Sequence, residues 1–203
     1  MTKIAIIDYG MGNLKSVYKA CLSLGFDAIV TSDKKVIESA SHVVLPGVGA
    51  FRDAINELKR AELTQCIYQT VKQGKPFLGI CLGMQLLFDK SYENGVYEGL
   101  GLVEGEVIRF RTKDLKVPHM GWNTLEITKP EPLFLGVPNG SYVYFVHSYH
   151  LQTKADVVSS YTTYGEKIGV SVQKDNVFGL QFHPEKSHDI GLLMLKNFGG
   201  IKG

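Results

Sequence analysis

From residue 3 to about residue 90, short apolar runs alternate with stretches whose apolar residues recur at helical spacing, and this alternation constrains the chain more than any other feature. Residues 4–7 are a continuous apolar run closed by Asp8 and a glycine-rich turn, the pattern of a strand buried on both faces of a parallel sheet. A helix is expected next, with Asn13 as its cap, Leu14, Val17, Tyr18, Cys21 and Leu22 on one face, and Gly25 as a left-handed stop. The alternation then predicts strands at 28–30, 43–45 and 77–80, a short helix at 34–39, one or two helices over 50–73 and a helix at 82–88. Such an order implies an α/β fold with a doubly wound, mostly parallel sheet flanked by helices, whose binding crevice lies at the carboxyl ends of the strands.

After Gly95 the texture changes to short β-branched and aromatic runs at 106–110, 142–146, 157–163, 168–172 and 178–182, expected to add antiparallel strands and hairpins to the sheet. A helix at 191–198 closes the chain. No repeat or linker interrupts the 203 residues, and a single domain over 1–203 is expected, because 44% hydrophobic residues can bury a sizeable core.

A formal charge of +2, from 22 basic and 20 acidic side chains spread along the chain, leaves no electrostatic footprint for nucleic acid or an anionic membrane. Cys21, Cys66 and Cys81 are odd in number and far apart, so neither a disulfide framework nor a zinc site is suggested, and a reducing cytoplasm fits. No stretch approaches the roughly 18–20 apolar residues of a membrane span. The chemistry must therefore sit in local motifs.

Gly79-Ile80-Cys81-Leu82-Gly83 places a cysteine between a buried strand and a helix, as a nucleophile elbow does. The flanking glycines allow neighbouring backbone to pass, the helix start favours thiolate over thiol, and the Leu82 N–H points where an oxyanion would form. A small buried hydrophobe is the plain alternative for Cys81, and the stronger reading for Cys21 and Cys66. A second feature has to decide. Gln181-Phe182-His183-Pro184-Glu185-Lys186 ends an apolar strand, and residues two apart in extended chain share a side, so Glu185 can orient His183 toward a thiol. Of the other histidines, His42, His119, His147 and His150 have no carboxylate two residues along, and His188 has only the badly aimed neighbour Asp189.

Together these motifs resemble the triad-type, or class I, glutamine amidotransferases along the whole chain. The resemblance implies a flavodoxin-like fold, Cys81 as nucleophile, His183 as base and then acid, and Glu185 as the group orienting the histidine, with no metal or organic cofactor. Pro46-Gly47-Val48-Gly49 follows a strand on the same sheet edge, and paired glycines let a peptide rotate its N–H toward a ligand. It lacks the lysine and hydroxyl of a phosphate-binding loop, leaving a plain turn as the alternative. By resemblance Val48 and Leu82 supply the oxyanion hole, and Gly47, Gly49, Gln85, Glu93, Ser148 and Tyr149 meet the L-glutamine substrate.

Three further segments, 8–13, 118–123 and 144–149, are similar to one subgroup of that family. There the ammonia goes to a cyclase subunit of (β/α)8 barrel fold, in a heterodimer within amino-acid biosynthesis. Trp122 is the only tryptophan, set in a stretch that reads as too polar for a core strand, so it is an expected anchor for a partner surface. Filling the core is its other possible use. Pro118, Met120, Trp122, Asn123 and Lys186 are the expected interface positions. Two rival readings remain: an amidotransferase subunit serving another acceptor, such as chorismate or a pyridoxal phosphate precursor, and a non-catalytic regulatory protein on the same cysteine elbow.

Overall fold

The computed structural model describes residues 2–111, 115–130, 132–154 and 156–202. The first half follows the alternation: β1 (Lys3–Ile7), α1 (Leu14–Ser23), β2 (Asp27–Thr31), α2 (Lys34–Ser39), β3 (His42–Gly47), α3 (Phe51–Arg60), α4 (Leu63–Lys72), β4 (Phe77–Cys81) and α5 (Leu82–Gln85). The second half adds β5 (Phe88–Ser91), β6 (Tyr97–Glu98), β7 (Val103–Arg109), β8 (His119–Thr124), β9 (Glu126–Ile127), β10 (Tyr142–His147), β11 (Tyr149–Gln152), β12 (Val158–Tyr164), β13 (Glu166–Lys174), β14 (Val177–Leu180) and α6 (His188–Gly200). An eight-stranded sheet runs β2-β1-β3-β4-β14-β13-β12-β9. Its first five strands are mutually parallel and the last three join antiparallel.

The apolar runs are continuous because both faces are covered. Ala5, Ile7, Val43 and Leu45 bury against Phe51, Ile55 and Leu58 of α3 and Leu63 and Ile67 of α4. Their neighbours in the chain, Ile4, Ile6 and Val44, bury with Val17 and Cys21 of α1 and Met194, Leu195 and Phe198 of α6. A strand with helices on one side only would show alternating polarity instead. Among the described residues no helix is long and apolar enough to cross a membrane.

Several expectations need correction. The helix expected at 82–88 is a single turn, Leu82–Gln85, after which Phe88–Ser91 lies beside β7 as a strand. An apolar segment of that length fits a buried strand as well as a helix, and tertiary pairing decides between them. The strand ending at Leu180 forms the expected antiparallel hairpin with β13, but its other edge is parallel to β4. The runs at 106–110 and 142–146 do not join the main sheet. They build a four-stranded sheet (β11-β7-β5-β6) and a two-stranded one (β10-β8). Residues 119–124 are not a core strand, as their polarity implied, but a half-exposed one, β8, paired with β10. The 50–73 segment, expected as one or two helices, is two, divided at Glu62, which sits in left-handed conformation with φ 53°. Asn13 makes no capping bond to α1; its side chain reaches instead to Glu185.

Candidate active site

The carboxyl ends of three adjacent parallel strands meet around one cavity. Gly47, the last residue of β3, pairs in register with Cys81, the last of β4, and Leu180 at the end of β14 pairs with Ile80. Val48, Cys81 and His183 all line the resulting cavity of about 260 Å³.

Cys81 has φ 55° and ψ −113°, a sparsely populated conformation for a residue with a Cβ, imposed by the reversal from strand into helix. Gly83 is what permits it: a Cβ there would lie 1.8 Å from the Leu45 carbonyl oxygen, so β3 can pass the elbow only because that side chain is missing. The sulfur makes two hydrogen bonds outside the triad, to the Val146 carbonyl at 3.9 Å, which accepts from the thiol, and with the Gln181 Nε2 at 3.8 Å, which donates to it. Because α5 is one turn, thiolate stabilisation by a helix dipole is smaller than a full helix would give.

His183 and Glu185 come together as expected, but through a tight turn. His183 is extended, and Glu185 lies in the 3-10 turn Pro184–Lys186, which brings its Oε1 to 2.8 Å from His183 Nδ1. Both side chains are buried, at 2% and 0% exposure, so the contact is desolvated and strong. Burial alone would lower the imidazole pKa. The Cys81 sulfur and the Glu185 carboxylate outweigh it and raise His183 to about 9. With Nδ1–H directed at the carboxylate, Nε2 is the atom left to take a thiol proton, and it is buried without a hydrogen-bond partner. The sulfur is close enough to act on the imidazole, yet the Sγ–Nε2 bond is not closed. Contacts of this kind commonly tighten only when substrate binds.

The Val48 loop is pinned from below. Tyr9 Oη donates to the Pro46 carbonyl at 2.9 Å, and burial raises the phenol pKa so that it stays a donor. Gly49 has φ +97°, where a side chain would be strained. Val48 is 39% exposed at the cavity mouth.

Gln85, Glu93, Ser148 and Tyr149 also line the cavity. Gln85 Nε2 donates to the Tyr149 carbonyl at 3.1 Å and to Gln181 Oε1 at 3.0 Å, so both amide protons are used and its Oε1 remains to accept from a ligand. One Glu93 oxygen accepts from the Phe51 N–H at 2.7 Å, capping α3, and the other is left for the cavity. Sequence reasoning passed over Gln181, a fully buried amide two residues before His183; a polar side chain at the end of an apolar strand was the available signal. His147 lines the cavity as well. Its Nδ1 bonds the Tyr149 carbonyl at 2.8 Å and its Nε2 faces His119 Nδ1 at 3.0 Å. Burial lowers these two imidazoles to about 3 and about 4, respectively, so both are neutral. His150, for which the sequence offered no carboxylate, has Glu166 at 3.9 Å through a tertiary contact.

On the outer side, alternation along β8 turns Met120 and Trp122 outward and His119 inward, with Met120 61% and Trp122 45% exposed. Trp122 stacks flat on His188 at 5.0 Å and meets Tyr144 edge-on, while Lys186 Nζ lies over the Tyr144 ring. Pro118 lines both the catalytic cavity and an outer groove shared with Met120. The Asn123 amide is turned inward, donating to the Thr163 carbonyl at 3.0 Å and to His119 Nε2 at 3.3 Å. Among the described residues no cluster of three or more His, Cys, Asp or Glu side chains is placed to hold a metal ion.

Comparison with known proteins locates the chain among relatives. The family model described as glutamine amidotransferase class-I matches residues 5–199. Imidazole glycerol phosphate synthase subunit HisH of Geobacter sulfurreducens is 50% identical over 209 residues, covering 100% of both chains. The protein of the same name from Caldanaerobacter subterraneus subsp. tengcongensis is 53% identical over 197 residues, covering 97% of each chain. Among solved structures, PurLQS from Thermotoga maritima superposes with a TM-score of 0.76 at 20% identity, covering 97% of each chain, a likeness of fold.

Proposed function

Because this chain belongs to the class-I glutamine amidotransferases, we propose that it hydrolyses L-glutamine through Cys81, His183 and Glu185 and passes the ammonia to a cyclase of (β/α)8 barrel fold. It acts as the glutamine-hydrolysing subunit of imidazole glycerol phosphate synthase, in histidine biosynthesis. The observation that carries the catalytic part is the convergence of a strained cysteine, a buried imidazole with a free Nε2, and its orienting carboxylate on one cavity.

In this reading His183 Nε2 takes the Cys81 proton and the thiolate attacks the carboxamide carbon. The N–H groups of Val48 and Leu82 stabilise the oxygen that becomes negative. As the tetrahedral centre collapses, His183 gives its proton to the departing nitrogen and the C–N bond breaks. Water then adds to the thioester with His183 as base, the C–S bond breaks, and glutamate leaves as Cys81 regains its proton. Gln85 Oε1 accepts from a substrate N–H, and the uncommitted Glu93 oxygen suits the α-ammonium group. Ser148 and Tyr149 close the wall opposite, and Gly47 and Gly49 let the loop backbone approach.

The cyclase docks on the patch formed by Met120, Trp122 and Lys186, with Pro118 at the joint between cavity and groove. Asn123 supports that patch from beneath. Three free cysteines suit a reducing cytoplasm. The test is glutamine turnover by the complex with Cys81→Ala: loss of at least a thousandfold is expected, and undiminished turnover excludes Cys81 as nucleophile. Pull-down with a barrel cyclase, against an amidotransferase acceptor enzyme of another pathway, tests the partner.

A further inference from the structure

The Cys81 sulfur is not surrounded only by the triad. Besides the His183 imidazole, its polar contacts in this state are the Val146 carbonyl, which can only accept, and the Gln181 side-chain nitrogen, which can only donate. Gln181 is fully buried, so its amide is bonded within the protein and not to solvent.

The direction of that amide is fixed by a chain of bonds with one consistent orientation. The Tyr149 carbonyl can only accept, so the Gln85 atom 3.1 Å away must be the nitrogen. The second proton of that nitrogen goes to the Gln181 oxygen at 3.0 Å, which leaves the Gln181 nitrogen to face the sulfur at 3.8 Å, a distance suited to the larger radius of sulfur. His147 Nδ1–H, also on the Tyr149 carbonyl at 2.8 Å, holds the origin of the chain in place. Rotating either amide by a half turn would set two donors or two acceptors against each other inside the core.

We propose that Gln181 is a further catalytic residue of this reaction, its amide N–H donating to the Cys81 sulfur and stabilising the negative charge that develops there. This rests on the reading of Cys81 as nucleophile. When the thiol proton moves to His183 Nε2, the Val146 contact ceases to be a hydrogen bond and the Gln181 contact becomes charge-assisted, so it strengthens with ionisation. A neutral donor has a second use at this place. It steadies the thiolate without a positive charge that would hold His183 in its neutral form. Gln85 thereby has two tasks: presenting its oxygen to substrate and aiming Gln181 at the sulfur.

The experiment follows the rate of Cys81 alkylation by iodoacetamide against pH in the complex with its cyclase, with the Cys81→Ala rate subtracted for the two other cysteines. Gln181→Met keeps length and burial but removes the donor. Its alkylation midpoint is expected to rise by about one pH unit, with roughly tenfold lower kcat and little change in KM. Gln181→Glu keeps the shape and the acceptor for Gln85 and sets a carboxylate oxygen against the sulfur, so its midpoint is expected to rise further. Circular dichroism reports folding, and the Glu variant carries the test if the Met variant does not fold. Midpoints unchanged from the wild type in a folded variant overturn the role of Gln181 alone. A wild-type rate no greater than that of Cys81→Ala overturns the nucleophile itself.

Discussion

Glu185 Oε1 accepts the Nδ1–H of His183 across 2.8 Å with both side chains buried, and this bond fixes the tautomer of the imidazole. The His183 pKa, held at about 9 by Cys81 and Glu185 against the effect of burial, has consequences for stability and for rate. A pKa raised on folding contributes stability that is complete below the unfolded value near 6.5 and lost as pH rises through about 9.

Replacing Glu185 by Gln removes the negative charge while keeping the shape. Glutaminase activity of the complex is expected to fall by on the order of 10²–10⁴-fold. The alkaline limb of kcat should move toward neutral pH as the imidazolium becomes easier to deprotonate. A kcat profile with the wild-type alkaline limb would remove Glu185 from the orienting role.

Tyr9 lies outside the triad but holds the Pro46 carbonyl beneath the Val48 loop. Tyr9→Phe leaves a buried acceptor unpaired, which should lower stability by about 1–2 kcal/mol. It also frees the peptide that aims the Val48 N–H, so kcat should drop severalfold with KM nearly constant. A larger change in KM than in kcat would mean that the loop binds the ground state and does not serve the oxyanion.

Gly83→Ala tests the packing that makes the elbow possible. The added methyl meets backbone, the Leu45 carbonyl oxygen at 1.8 Å, and no rotamer can relieve it. Overpacking in cores typically costs about 1–3 kcal/mol, and a clash with rigid strand backbone should exceed that range. Chemical denaturation should show a loss above about 3 kcal/mol or no folded protein. A wild-type midpoint would mean that β3 is displaced easily from the elbow.

The parallel half of the fold was legible because each apolar run is buried on both faces: residues 4–7 read as strand from Ile4, Ala5, Ile6 and Ile7 alone, and all four are buried. Cys81 and His183 were legible for a related reason, since each stands at the carboxyl end of such a run. What sequence hid was tertiary. The segment at 82–88 is apolar in a way that suits helix and strand equally, and only its pairing with β7 ends the helix after Gln85. Residues 118–123 read as too polar for a core strand because half of β8 faces solvent, while its inward histidine is satisfied by another histidine, a pairing that only the fold shows. For Gln181 the sequence offered only a polar side chain at the end of an apolar strand, because its contacts with Gln85 and Cys81 are made across β4 and β14 and not along the chain.

The pair His119 and His147 gives the molecule an acid-sensitive element beside its active site. Their neutral rings form one directed chain, from Asn123 Nδ2 through His119 and His147 to the Tyr149 carbonyl. Desolvation by burial holds them at about 4 and about 3. In the unfolded chain both titrate near 6.5, so the unfolded state binds more protons between those limits. The stability these two neutral rings contribute is therefore complete above about pH 6.5 and is lost as pH falls toward 4 and then 3. Protonation of His119 would also set its Nε2–H against the Asn123 Nδ2–H donor and place a charge beside Phe145 and Tyr164, which stack on its ring at 4.7 and 4.0 Å. The thermal midpoint of the wild type should fall steeply from pH 6.5 to 4, by an amount corresponding to about 2 kcal/mol or more. In His119→Gln, which keeps a donor and an acceptor without a titrating ring, that acid slope should be shallower. An equal slope in the two proteins would assign the acid sensitivity to carboxylates elsewhere.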